Sequence, residues 1–319
     1  MNSSHHIPEP LQGTITSLNI SREKGTTKEP VPQVTVNELG IVGDAHAGPW
    51  HRQVSILAAE AIEYFATKHD RQFKPGEFAE NITVRGFDLK LARVPDQFLS
   101  GDVRLELTQI GKACHGDGCA IYQQVGKCVM PREGLFTRVL SPGTISVGDT
   151  ITWIPTALPI HVITLSDRAS RGEYEDRSGP LLLKKLKDFG EHSHWRFSFH
   201  HTIIPDDPEK LRQTILDACN QHAAAIFTTG GTGIGPRDIT PETVTPLLDR
   251  QLPGIMELIR VQTAASNPKA ALSRGVAGTI GQTLIYTLPG SLRAIEEYTG
   301  IILPSLAHAM QMIRGYDTH

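Results

Sequence analysis

Residues 226–242 read Ile-Phe-Thr-Thr-Gly-Gly-Thr-Gly-Ile-Gly-Pro-Arg-Asp-Ile-Thr-Pro-Glu, an apolar run that meets four glycines within six positions and then a new helical start. Glycines let a backbone come close to a ligand, and successive amides at such a turn can cradle anionic oxygens. No Lys-Ser/Thr follows Gly235, which excludes a P-loop, and the spacing is not the dinucleotide fingerprint. A Gly-rich turn of purely structural use is the alternative reading. Arg237 and Asp238 come next, a cation able to pair with phosphate and a carboxylate able to hold Mg2+. Asp238 would serve equally as an N-cap for a helix near Thr240-Pro241. A second carboxylate, Asp206, follows the apolar segment Phe197–Ile204, so both aspartates are expected at the carboxyl ends of strands, where open α/β sheets bind ligands. Two such carboxylates can share one metal.

The first half offers a thiol. Lys112 and His115 flank Cys114 closely enough to lower its pKa, and a thiolate suits a soft metal centre or a persulfide. An inert buried cysteine is the alternative. Cys119 and Cys128 extend the cluster, but Cys-x4-Cys-x8-Cys beside a histidine is not a standard zinc spacing. A zinc site, a redox partner for Cys114 and inert packing therefore stay open for those two. His46 and His51 share a segment with Asp44 and Arg52, as a polar pocket requires, and Arg52 is its candidate phosphate ligand; each histidine alone reads as readily as surface or core. Cys219, four residues after Ile215, reads as core.

These groups need two kinds of scaffold. The chain has 319 residues, enough for two domains, and its 39% hydrophobic and 20% charged content excludes a disordered or fibrous chain. From 13 to 154 the apolar pattern has period two in short segments: 14–20, 33–36, 81–84, 103–110 and 145–154. One helix interrupts them, with Leu57, Ala61, Ile62 and Phe65 at helical spacing. Beyond Pro155 and Pro159 the style changes to strands alternating with helices: strands 160–165, 197–204, 223–229 and 283–288, helices 181–189 and 208–221, and a final helix 291–313 bent at Pro304. The expected fold is a mainly β barrel over 1–155, a linker at 156–160, and a three-layer α/β domain with a mostly parallel sheet over 161–319. Lys plus Arg number 31 against 34 acids, so nothing suggests a nucleic-acid binder. The absence of a long apolar run and the four cysteines point to a cytoplasmic protein without a membrane partner.

The segments Leu165-Ser-Asp-Arg-Ala-Ser170, Ile204-Pro-Asp206, Thr229–Glu242, Pro253-Gly-Ile-Met-Glu257 and Leu288-Pro-Gly290 together resemble the molybdopterin adenylyltransferases of the MogA/MoaB type, in order, over roughly 160–315. The resemblance implies transfer of AMP from ATP to the terminal phosphate of molybdopterin, with Mg2+ and release of pyrophosphate. It implies Asp206 and Asp238 as catalytic, metal-holding aspartates and Gly230, Gly231, Thr232 and Gly233 as the pterin and phosphate loop. Arg237, Ser273, Pro289, Gly290 and Ser291 fall at further binding positions, and Asp167 and Glu257 near the site. Residues 10–153, through 41–57, 76–86, Gln109–His115 and Val147-Gly-Asp149, are similar to MOSC domains, in which a cysteine matching Cys114 carries sulfur or meets molybdenum. The implied partners are a molybdate-insertion enzyme or a client molybdoenzyme, and the implied assembly is a homotrimer through the second domain. A non-catalytic carrier or storage protein for molybdopterin is the rival reading.

Overall fold

The structure, a computed structural model, describes residues 7–112 and 128–316. In the first half, strands β1 (Leu11–Ile20), β5 (Val54–Ala58), β6 (Ile82–Arg85), β7 (Gln97–Ser100), β8 (Val103–Ile110), β9 (Leu135–Ser141) and β11 (Thr150–Ile154) close a seven-stranded barrel in the order β11-β7-β8-β9-β5-β6-β1, with β1 pairing back onto β11. Strand β2 (Glu29–Val31) flanks β1, and β3 (Gln33–Asn37), β4 (Gly40–Ile41) and β10 (Gly143–Ser146) form a separate small sheet.

Strand β5 is buried along its whole length because both faces are covered. Ile56 packs in the barrel core, while Leu57 faces a second cluster with Phe78, Met130 and Phe136. Leu57, expected on the helix, therefore belongs to the strand that precedes helix α1 (Ala59–His69); its helical spacing to Ala61 is an accident of facing the same cluster. The expected single strand 145–154 is two. Gly148 takes φ +94 and the Asp149 carboxylate accepts from Ser146 N at 2.7 Å, a tight turn that separates β10 from β11.

The second half holds six strands: β12 (Leu158–Leu165), β13 (Phe197–Ile204), β14 (Ala225–Thr229), β15 (Arg250–Gln251), β16 (Ala277–Ile280) and β17 (Thr283–Leu288). Their order is β13-β12-β14-β17-β16-β15; the first four are parallel and the last two antiparallel. All five residues of β14 are buried, as a central parallel strand requires. Phe227 faces a core shared with Leu186 of helix α4 (Ser178–Glu191) and Ile302 of helix α8 (Leu292–Ile313). Ile226 faces the opposite core with Leu211 and Ile215 of helix α5 (Pro208–Asn220). Helix α8 continues through Pro304 to Ile313. Helices α2 (Met130–Glu133), α3 (Asp167–Ser170), α6 (Thr240–Val244) and α7 (Pro253–Ala264) complete the set used below.

Strand β12 starts at Leu158, inside the expected linker, so the joint is only the few residues after Ile154. The domains dock there. Val94 N donates to His194 O at 2.7 Å and Arg196 N to Val94 O at 2.8 Å. Asp96, fully buried, accepts from Arg196 Nε and Nη2, Trp153 Nε1, Thr156 N and Arg93 N, each at 2.9–3.0 Å. Tyr316, just beyond α8, stacks on Trp195 and on His51 of the barrel and donates to Glu106. No helix among the described residues is long and apolar enough to cross a membrane.

Candidate active site

At the carboxyl ends of β14 and β17 two glycine turns meet. Gly230 (φ +106) and Gly231 (φ +64) occupy left-handed backbone that favours glycine, and a Cβ at Gly230 would lie 2.5 Å from Leu165 O. The Gly290 Cβ position is 3.5 Å from Gly230 Cα, so the Pro289-Gly290-Ser291 turn packs directly on the first. Below them Thr229 Oγ1 donates to Ser178 Oγ at 2.7 Å, and Ser178 Oγ donates to the nearly buried Asp176 at 2.9 Å. Burial pushes the Asp176 carboxyl up, but the bonds from His201, Thr164 and the backbone outweigh it and hold the group well below the carboxylate range.

The carbonyls of the first turn are all engaged by protein donors. Gly230 O accepts from Thr240 Oγ1 at 2.9 Å, Gly231 O from Thr240 N at 3.0 Å, Thr232 O from Arg274 N at 2.9 Å, and Gly233 O from Arg274 Nε at 2.7 Å. Among the described residues, the amides of Gly231, Thr232 and Gly233 donate to no protein acceptor. Pinning the carbonyls on one side leaves a row of unused donors, the arrangement that binds an anion.

This turn lines a cavity of about 400 Å³ together with Asp238, Ser273 and the 289–291 turn. Ser273 Oγ lies 2.9 Å from Tyr298 Oη, and Ser291 caps α8 by accepting from Ala294 N. Gly231, Thr232, Gly233, Asp238, Ser273, Pro289, Gly290 and Ser291, all candidates from the sequence, are thus brought to one place, with Gly230 directly behind them.

Asp206, after β13, exchanges hydrogen bonds with Asp167: each backbone amide donates to the other's carboxylate at 3.1 Å. Burial raises the Asp206 pKa, and the nearby carboxylates of Asp167 and Asp238 add to the rise. Arg237 is exposed and pairs with Asp167 rather than lining the cavity. Asp238 does not cap helix α6, whose N-cap is Ile239 without a side-chain bond; its Oδ2 instead accepts from Gly235 N at 2.7 Å. Glu257 lies on the exposed side of α7 and does not line the cavity.

Asp206 and Asp238 each keep one carboxylate oxygen without a protein donor among the described residues. No group of three or more acidic, His or Cys side chains is placed to hold a metal there, again among the described residues. Asp238 lines the cavity and Asp206 does not, but the two carboxylates are close enough for their charges to interact; such a pair fits Mg2+, which is bound by one or two carboxylates plus substrate phosphates and water rather than by an all-protein cage.

In the barrel, Asp44 and Lys28 form a fully buried ion pair, and His46 Nδ1 lies 3.3 Å from Lys28 Nζ. Burial lowers the Lys28 pKa. The Arg52 guanidinium sits 4.8 Å over the Trp50 ring, its buried Nε has no partner among the described residues, and burial lowers its pKa. Cys114, His115 and Cys119 lie outside the described residues. Cys128 is half-buried against the Leu57 cluster, and Cys219 packs at the edge of the core around Ile215. Lys28, Thr240, Arg274 and Tyr298 were missed by sequence reading. Their signals are weak: each is an ordinary residue whose partner lies 10 or more positions away.

Comparison with known proteins adds an independent finding. A family described as "Probable molybdopterin binding domain" matches residues 161–308, and the MOSC domain family matches 43–152. The chain is 34% identical over 157 residues to the molybdopterin adenylyltransferase of Helicobacter pylori strain J99, covering 49% of this chain and 88% of that protein. It is 36% identical over 165 residues to the molybdopterin adenylyltransferase of Pyrococcus furiosus, covering 50% of this chain and 94% of that one. Similarity to gephyrin of Dictyostelium discoideum, 41% over 162 residues, covers 49% of this chain but only 22% of gephyrin, so the chain spans about a fifth of that relative's length.

Proposed function

The chain belongs to the molybdopterin adenylyltransferase family through its second domain, and on that premise we propose that it transfers AMP from Mg-ATP to the terminal phosphate of molybdopterin with release of pyrophosphate. The observation that carries this reading is the row of free amides at Gly231, Thr232 and Gly233, whose carbonyls are all drawn away by Thr240 and Arg274.

Joining two phosphates brings like charges together and needs the attacking phosphate oxygen in line with the departing pyrophosphate. The free amides hold the pterin phosphate through its oxygens, and Asp206 and Asp238 would hold the Mg2+ that offsets the rest of its charge. When bound, the metal supplies charge neutralisation. The cavity walls at Ser273 and Pro289–Ser291 enclose the pterin, and no protein nucleophile takes part. In the barrel, Cys114 is the proposed sulfur- or molybdenum-binding group, with His46 and Arg52 at a pocket for the same cofactor. Assembly as a homotrimer through the second domain, a cytoplasmic location, and hand-over to a molybdate-insertion enzyme or client molybdoenzyme belong to the same proposal.

The test is pyrophosphate release from ATP, Mg2+ and molybdopterin. Wild type is expected to release it, and Asp206→Ala and Asp238→Ala to lose about 10²-fold or more while retaining the wild-type circular dichroism. A wild-type protein that binds molybdopterin but releases no pyrophosphate is a carrier, and the catalytic reading falls.

A further inference from the structure

Between Gly233 and Asp238 the chain projects as a small loop whose middle, Ile234 to Arg237, is exposed to solvent. Inside the loop Gly235 N donates to the Asp238 carboxylate at 2.7 Å and Asp238 N to Gly235 O at 3.0 Å. These fix the loop's tip, and Thr240 ties the far stem back to Gly230 and Gly231; the spacing between Gly233 and Asp238 themselves is left to another contact. One side chain spans the stems: Arg274 Nε donates to Gly233 O at 2.7 Å and Nη2 to Asp238 O at 3.1 Å, while Nη1 pairs with Glu242 at the start of α6. The Arg274 amide also donates to Thr232 O at 2.9 Å. One residue thus holds the last part of the amide row, the backbone of the metal-holding aspartate and the helix that follows. It sits next to Ser273, so the same segment also delivers a wall of the cavity.

We infer that Arg274 is a positioning residue that sets the distance between the amide row and Asp238, and so aligns the phosphate acceptor with the metal-holding carboxylate. A planar guanidinium presents its donors in a fixed fork, so two carbonyls bridged by it keep a fixed separation; a lysine ammonium at the end of a flexible stem cannot do this. The inference rests on the proposed role of the cradle, and a Gly231→Ala variant separates the two. Its new Cβ would lie 2.5 Å from Thr240 Oγ1 in a left-handed conformation, which distorts the cradle directly.

The experiment is steady-state adenylyl transfer by the full-length protein, with molybdopterin varied at saturating Mg-ATP. Arg274→Gln is expected to lower kcat/KM for molybdopterin about 10²-fold, the scale of a misplaced reacting group, with KM raised and kcat reduced together. Arg274→Lys should stay within about tenfold of the Gln variant. Free guanidinium, well below denaturing concentration, should restore part of the activity of Arg274→Gln and none of Gly231→Ala, because Arg274 is about one-third exposed and its place is accessible. If Gly231→Ala raises the molybdopterin KM while Arg274→Gln stays within twofold of wild type in both constants, the inference is wrong and the cradle stands. If the loss in Arg274→Gln follows the lost folded fraction seen by circular dichroism, with no rescue by guanidinium, the residue is merely structural. If Gly231→Ala changes nothing, the cradle reading itself has failed and takes the inference with it.

Discussion

Replacing Arg196 with methionine should loosen the joint between the two domains without touching the transfer site. Asp96 is fully buried and accepts five hydrogen bonds, two of them from the Arg196 guanidinium. Removing the arginine leaves a buried carboxylate with three neutral donors and no counter-charge, a loss of about 3–5 kcal/mol. At about 2–4 °C per kcal/mol for domains of this size, the melting temperature should fall by roughly 6–20 °C. The site is remote: Arg196 precedes β13 and Asp206 follows it, and eight extended residues span roughly 26 Å. Calorimetry should show one cooperative transition for wild type and two for Arg196→Met, with pyrophosphate release at 25 °C unchanged. The double variant Asp96→Asn with Arg196→Met should recover part of the stability, since the amide keeps an acceptor oxygen for the donors of Trp153, Thr156 and Arg93 and carries no buried charge. A single transition within about 2 °C of wild type, or a double variant as unstable as the single one, would refute the account of Asp96 as an ion-paired pin.

Two further outcomes concern pH. Because burial raises the Asp206 pKa and the carboxylate of Asp167 adds to the rise, Asp206 in the metal-free protein should titrate above an ordinary aspartate in NMR, and Asp167→Asn should move that titration to lower pH; a titration that stays put removes Asp167 as a cause. Burial, then the charge of His200, lowers the His161 pKa to about 4, the two rings stacking at 4.6 Å. The unfolded chain therefore takes the proton first, so stability present above pH ~6.5 is lost as pH falls toward 4, by about 1–2 kcal/mol once solvent screening of the partly exposed ring is allowed for. His161→Phe should flatten urea-unfolding free energy between pH 7 and pH 5, and an unchanged slope would show that His161 is not the group.

What the sequence disclosed was what depends on neighbours along the chain. The bounds of β8, β13 and β17 match the expected segments because each ends where the chain breaks, at Gly111, Pro205 and Pro289, and β8 alternates apolar with polar residues up to that break. The glycine turn was legible for the same reason: left-handed backbone at Gly230 and Gly231 needs that residue type at that position. The turn at Gly148-Asp149 carried a local signal too, but Ile145, Val147 and Ile151 kept the alternating pattern going across it. Distant partners left no such trace. Thr240 and Arg274 reach carbonyls 9 to 42 positions away, and Lys28 meets Asp44 only after the chain has folded back.

The same distinction bears on how one chain can serve two modules. The joint lies at the amino ends of β12 and β13, against His194 and Arg196, while the glycine turns, Asp206 and Asp238 sit at the carboxyl ends. Docking there leaves the cavity mouth uncovered by the barrel. Helix α8 is capped by Ser291 beside the cavity and ends at Ile313, just before Tyr316, which stacks on His51 next to Arg52; its 22 residues measure about 33 Å. A molecule leaving the cavity for the proposed barrel pocket must therefore cross a helix length of surface. If the barrel takes up the product as proposed, fusion would raise its local concentration there without giving the two sites a common wall.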